Sequence, residues 1–163
     1  MLEQAWLIPF FPAASALICG LWGKRLRTAT GWISICAMLA STILTFAILI
    51  AFLRDPAHLP YRWNLYQWIS AGSFVVRFSL AADSLTAVML VVVSVVGTLV
   101  FIYSTGYMRG DHGYARFFSF LSLFAAVMYL LVMADNFLVL FLGWEGVGLC
   151  SYLLIGHYLD RLY

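Results

Sequence analysis

Charge is the scarcest property of this sequence. Only 10% of its 163 residues are Asp, Glu, Lys or Arg, whereas a soluble domain carries about 25%. A water-exposed globular surface is thereby excluded, and the mean hydropathy of +0.98 belongs to a polytopic membrane protein. The basic residues form small clusters beside apolar runs, so nucleic acid finds no basic face. Cysteine is limited to Cys19, Cys36 and Cys150, each inside an apolar run. With no CxxC or Cys/His spacing they exclude a zinc site or disulfide framework and read as small packing residues. His58, His112 and His157 are scattered in or beside polar connections, where a solvated role is expected. A nucleotide-binding loop, a nucleophile with its base and cofactor ligands are all missing from the sequence.

Five long apolar runs predict an all-α polytopic membrane protein with about five transmembrane helices. The first spans about Ala5 to Gly23, with Pro9 and Pro12 in its first turns, where a missing amide donor costs least. Glu3 and the length of the run mark it as an uncleaved helix rather than a signal peptide. Lys24, Arg25 and Arg27 then make a basic turn before a second span from Ala29 to Leu53. Residues 1–53 thus form an amino-terminal two-helix hairpin.

Residues 54–106 hold a polar connection and a third span. Between Arg54 and Ala82, partial alternation of polar and apolar residues around the turn-prone Ser70 to Ser73 predicts a short extracytoplasmic β-hairpin. Trp63, Tyr66 and Trp68 suit the lipid headgroup zone. Asp83 opens the third span, which runs to Ser104, and its carboxylate is placed to cap early amides. Arg77 is near enough in sequence to pair with it. Residues 107–163 hold the loop GYMRGDHGYAR, a fourth span from Phe117 to Met133, and a fifth. The return Ala134-Asp135-Asn136 is so short that helices four and five must be antiparallel neighbours, with Asp135 or Asn136 capping the fifth.

This topology puts Lys24, Arg25, Arg27, Arg109, Arg116 and Arg161 on one side and Arg54, Arg62 and Arg77 on the other. By the positive-inside rule the first group is cytoplasmic, which leaves the amino terminus outside and the carboxy terminus inside.

Glu145 interrupts the fifth span. On a helix it lies roughly 15 Å past Asp135 and roughly 18 Å before His157, near the centre of a hydrocarbon core about 30 Å thick. An acid there is expensive, usually faces protein or a water-filled cavity, and marks an ion or proton path. Gly148, Tyr152 and Gly156 share its face. Gly146 and Cys150 form a small-xxx-small pair on the adjoining face, where another helix can approach.

The stretch GWEGVGLCSYLLIG resembles the fifth-helix motif of the NADH-quinone oxidoreductase subunit L and NADH dehydrogenase chain 5 family, the antiporter-like subunit of respiratory complex I. YQWISAGSFVVRFSLAADSLTAVM resembles that family's amino-terminal domain, and YMRGDHGYARFFSFLSLF with ADNFLVLFLGWEG resembles its third to fifth helices. Sister families typically carry FWE followed by other residues, whereas here the frame is Gly143-Trp144-Glu145-Gly146-Val147-Gly148.

The resemblance implies that residues 107–163 begin the proton-translocating domain and that Glu145 is its proton-handling acid. It implies a partner lysine on a later helix, yet no lysine follows Lys24 and the sequence ends at Tyr163, just after the fifth helix. It also implies a bacterial-type cytoplasmic membrane and, as partners, other membrane subunits of complex I, especially the neighbouring antiporter-like subunit. NADH, flavin, iron-sulfur clusters and quinone would belong to partner subunits, with no cofactor in this chain. Two alternatives stay open: a piece of a cation/proton antiporter or membrane-bound hydrogenase subunit, and a non-catalytic membrane scaffold.

Overall fold

The computed structural model describes residues 4–54, 61–72 and 74–157. Its elements in chain order are α1 (Leu7–Leu26), α2 (Ala29–Arg54), β1 (Tyr61–Ala71), β2 (Phe74–Ala82), α3 (Ser84–Tyr107), α4 (Tyr114–Val132) and α5 (Phe137–Ile155). All five helices are long and apolar enough to cross a membrane, because α1, α2 and α4 keep their charges near their ends, α3 has none and α5 carries Glu145 alone. The protein is a multi-pass membrane protein with a two-stranded hairpin between α2 and α3. Pro56, Pro60, His58 and Arg161 lie outside the described residues.

Helix α4 is the centre of the bundle, packing on α1, α2, α3 and α5. The described parts of 1–53, 54–106 and 107–163 therefore share one core, built around Phe118, Tyr129, Met38, Leu90 and Ile8. Lipid tails are as apolar as the side chains, so burial alone gives helices little reason to associate, and small and hydroxylated residues supply the specificity. One such group joins α1, α2 and α4, where the Ser15 and Ser122 hydroxyls each lie 3.1 Å from that of Ser34. Another joins α2, α3 and α4. Ser94 donates to Thr45 Oγ1 at 3.0 Å and its hydroxyl lies 2.8 Å from that of Tyr129.

The hairpin is antiparallel, from Tyr61 opposite Ala82 to Ala71 opposite Phe74. Gly72, with φ of +59°, follows Ala71 where the chain turns, a backbone position that glycine adopts without steric cost. Register shifts at Asn64/Tyr66 and Gln67/Ile69 account for β1 having 11 residues and β2 nine. They also explain why polar and apolar residues alternate only partly. Tyr66 and Trp68 are exposed, as an interfacial role requires, but Trp63 is only 8% exposed. It packs against Tyr61 with ring centroids 4.9 Å apart, so the headgroup expectation fails for this ring.

The caps follow from the side chains available. Asp83 Oδ1 accepts from the Thr86 amide at 2.7 Å, and this hydrogen bond holds the Asp83 carboxyl below its usual pKa. Asn136 is the cap of α5, accepting from Leu138 and Val139 at 3.2 and 3.0 Å. Asp135 is used otherwise: Ser79 donates to its Oδ2 at 2.9 Å, and Arg62 Nε lies 3.2 Å from its Oδ1. Arg77 does not pair with Asp83 among the described residues; its carbonyl accepts from Asn136 instead. The Ala81 amide donates to the Met133 carbonyl at 2.8 Å, and Leu80 bridges Ala134. The α4–α5 turn is thereby stitched to the hairpin.

Candidate functional site

Helix α5 shows how a short sequence can present a carboxylate away from its own bundle. Its buried residues are Val139, Gly143 and Cys150, and among the helices it packs on α4. A Cβ on Gly143 would lie 2.8 Å from Leu131 Cα, and one on Gly146 would lie 2.9 Å from Val127 Cγ1. Gly143 and Gly146 thus seat α5 on α4, so the expected close approach at Gly146 is made by that helix, and Cys150 is buried one turn on.

Glu145 lies off that contact and is exposed. Tyr152, on its face, is 70% exposed, Trp144 beside it is 66% exposed, and a Cβ on Gly148 would meet nothing within 4 Å. Among the described residues no hydrogen bond or ion pair reaches the Glu145 carboxylate. Helix α4 covers one side of α5, as the short return requires, and the acid looks out from another. Hydrocarbon cannot solvate that carboxylate, so the face calls for protein or water.

The other singled-out residues fall into two groups. Cys19 and Cys150 are buried as packing residues, whereas Cys36 is exposed on α2. His112 is exposed, as expected for a solvated loop. His157 is not: it is 7% exposed, with Nε2 3.6 Å from Asp111 Oδ1 and its ring edge-on to Phe117. Gly113, where a Cβ would lie 2.5 Å from the His157 ring, makes room for it. Sequence reasoning missed this pair and the Arg62–Asp135 pair because each joins segments far apart in the chain. Gly113, the lone glycine against His157, carries too weak a signal to reveal that pair.

Five membrane-length helices with one carboxylate facing outward from the middle of the last define a multi-pass membrane protein whose candidate site is an intramembrane acid. Residues 68–118 match the family model described as NADH-Ubiquinone oxidoreductase (complex I), chain 5 N-terminus. The chain is 42% identical over 165 residues to NAD(P)H-quinone oxidoreductase subunit 5, chloroplastic, of Mesostigma viride, covering 98% of this chain and 25% of that protein. It is 44% identical to NADH-quinone oxidoreductase subunit L of Rickettsia felis, covering 96% and 24%. Over 98 residues it is 54% identical to subunit L of Escherichia coli, covering 60% and 16%. Among solved structures it superposes on a chain of the Mrp complex from Dietzia sp. with a TM-score of 0.75 at 25% identity, covering 94% of this chain and 16% of that one. The chain matches the amino-terminal portion of the NADH-quinone oxidoreductase subunit L and chain 5 family. It spans about a quarter of the length of the first of these relatives.

Proposed function

We propose that this chain is the amino-terminal part of the antiporter-like, proton-translocating subunit of an NADH:quinone oxidoreductase, and that Glu145 is its proton-handling acid. The observation that carries the reading is the mid-helix carboxylate on an open face of α5 in a chain that resembles subunit L over nearly its whole length. In this reading a later helix carrying a lysine covers that face, and movement of its ammonium switches Glu145 between binding and releasing a proton. Residues 107–163 begin the translocating domain, with 1–53 and 54–106 forming the support that fixes α4. Oxidation of NADH and reduction of quinone, with flavin and iron-sulfur clusters, belong to partner subunits. The neighbouring antiporter-like subunit is the expected membrane contact.

The host is a bacterial-type cytoplasmic membrane, with the amino terminus outside. The bundle supports this orientation. Lys24 and Arg27 line the same groove as Arg116, so the basic α1–α2 turn and the α3–α4 loop lie at one end, while the hairpin and the α4–α5 turn are joined elsewhere. In the assembled complex, Glu145→Gln is expected to depress proton pumping while leaving assembly intact. An assembled variant that pumps normally would overturn the role given to Glu145.

The likeness to a chain of the Mrp complex favours a second reading, a subunit of a cation/proton antiporter. Neighbouring genes separate the two: quinone-reductase subunits support the first, and a compact antiporter operon supports the second.

A further inference from the structure

Between α1 and α4, at the end where the chain turns into α2, an open groove of about 1030 Å³ runs into the bundle. We propose that this groove binds the headgroup of an anionic phospholipid. Lys24 and Arg27 stand on its α1 side and Arg116 on its α4 side, with Gly20 and Phe120 among the residues lining it. All three bases are exposed. Lys24 and Arg27 form no ion pair among the described residues. Among the described residues the groove's lining sets one acid, Asp111, against these three bases, so the rim is basic; Asp111 itself accepts the Gly113 amide at 2.6 Å and faces His157 Nε2 at 3.6 Å.

The position of Arg27 is fixed by the fold. Its amide donates to the Gly23 carbonyl at 2.9 Å and its carbonyl accepts from Thr30 Oγ1 at 2.7 Å. Ser119 ties α4 to α1 beneath the rim, donating to the Ala16 carbonyl at 2.8 Å. The two walls are therefore held together before any ligand arrives. A groove that is basic at its mouth and lies at the end of membrane-length helices matches a molecule with an anionic head and apolar tails. Guanidinium and ammonium groups suit a phosphodiester, and basic pockets between membrane helices are a setting for anionic headgroups. The inference rests on the membrane fold alone and holds whether or not Glu145 moves protons.

The test is native mass spectrometry of the chain as extracted from its membrane, offered phosphatidylglycerol and phosphatidylcholine with identical acyl chains. Preferential retention of phosphatidylglycerol is expected. The double variant Lys24→Gln/Arg27→Gln should lose about tenfold in that occupancy, since each base near a membrane surface contributes a severalfold effect. Arg25→Gln/Arg109→Gln removes two charges that do not line the groove and should keep it. Equal loss in both doubles would reduce the effect to general surface attraction, and no loss in the first would remove the site; either overturns the proposal. So would displacement of the lipid by inorganic phosphate at matched concentration. Thermal unfolding of each variant separates loss of binding from loss of fold.

Discussion

Gly143 sits against Leu131 so closely that a Cβ would stand 2.8 Å from the Leu131 Cα and 2.9 Å from its amide nitrogen. Backbone cannot retreat as a side chain can. This contact fixes the rotation of α5 on α4, and the rotation sends Glu145, two residues on, to the open face.

Gly143→Val should therefore force the two helices apart. A loss of about 1–3 kcal/mol is expected from overpacking, read as a lower thermal midpoint of the detergent-solubilised chain. Gly148→Ala is the control, since a methyl there meets nothing within 4 Å. A similar loss in both variants would remove the α4 contact as the explanation.

The stitch between hairpin and α4–α5 turn depends more on Ser79 than on Arg62. Ser79 is buried, whereas the Arg62 side chain of the Arg62–Asp135 pair is 64% exposed. Asp135→Ala should cost about 1–2 kcal/mol by leaving the buried Ser79 O–H without its acceptor, although the Ser79 oxygen still accepts from Asn136 Nδ2 at 3.4 Å. Arg62→Ala should cost less than about 1 kcal/mol, because solvent screens the pair. Hydrogen exchange at the Ala81 amide, bonded to the Met133 carbonyl, would report both.

Tyr129 is fully buried, its hydroxyl 2.8 Å from that of Ser94 and 3.8 Å from the Met38 sulfur. Tyr129→Phe is expected to cost about 1 kcal/mol, in the range found for hydrogen bonds between membrane helices. A double-mutant cycle with Ser94→Ala should show the two losses to be less than additive. Strict additivity would mean that the two groups act separately.

The Asp83 cap gives stability a pH dependence of definite sign. The Thr86 amide holds the folded-state pKa below 3.8. The cap's contribution is therefore complete above the unfolded value and is lost as pH falls through the folded one. At neutral pH Asp83→Ala should cost about 1 kcal/mol. The gap between variant and parent should narrow below about pH 4. A gap that widens on acidification would reverse the assignment.

Much of this architecture can be read without coordinates. Where hydropathy alone decides, as in the five spans, sequence suffices because lipid admits few other ways to satisfy a backbone. Local chemistry is nearly as legible: Asp83 and Asn136 cap the helices they precede, and the turn around Gly72 closes a hairpin. The candidate acid was also legible, since a carboxylate in the middle of an apolar span stands out by its cost.

Contacts between distant segments were not legible. Trp63 is buried rather than interfacial, His157 is buried beside Asp111 and Phe117, and Asp135 joins the hairpin rather than capping α5. Each outcome depends on which segment arrives from elsewhere in the chain, and a pattern of period 2 or 3.6 holds no information about that. The same division applies to the helix that carries Glu145. Sequence determined that an acid lies near the middle of a membrane-length helix, because chain length and hydropathy set depth. Only tertiary structure decided that the acid faces away from α4, because the rotation of α5 is set by how closely Gly143 and Gly146 can approach Leu131 and Val127.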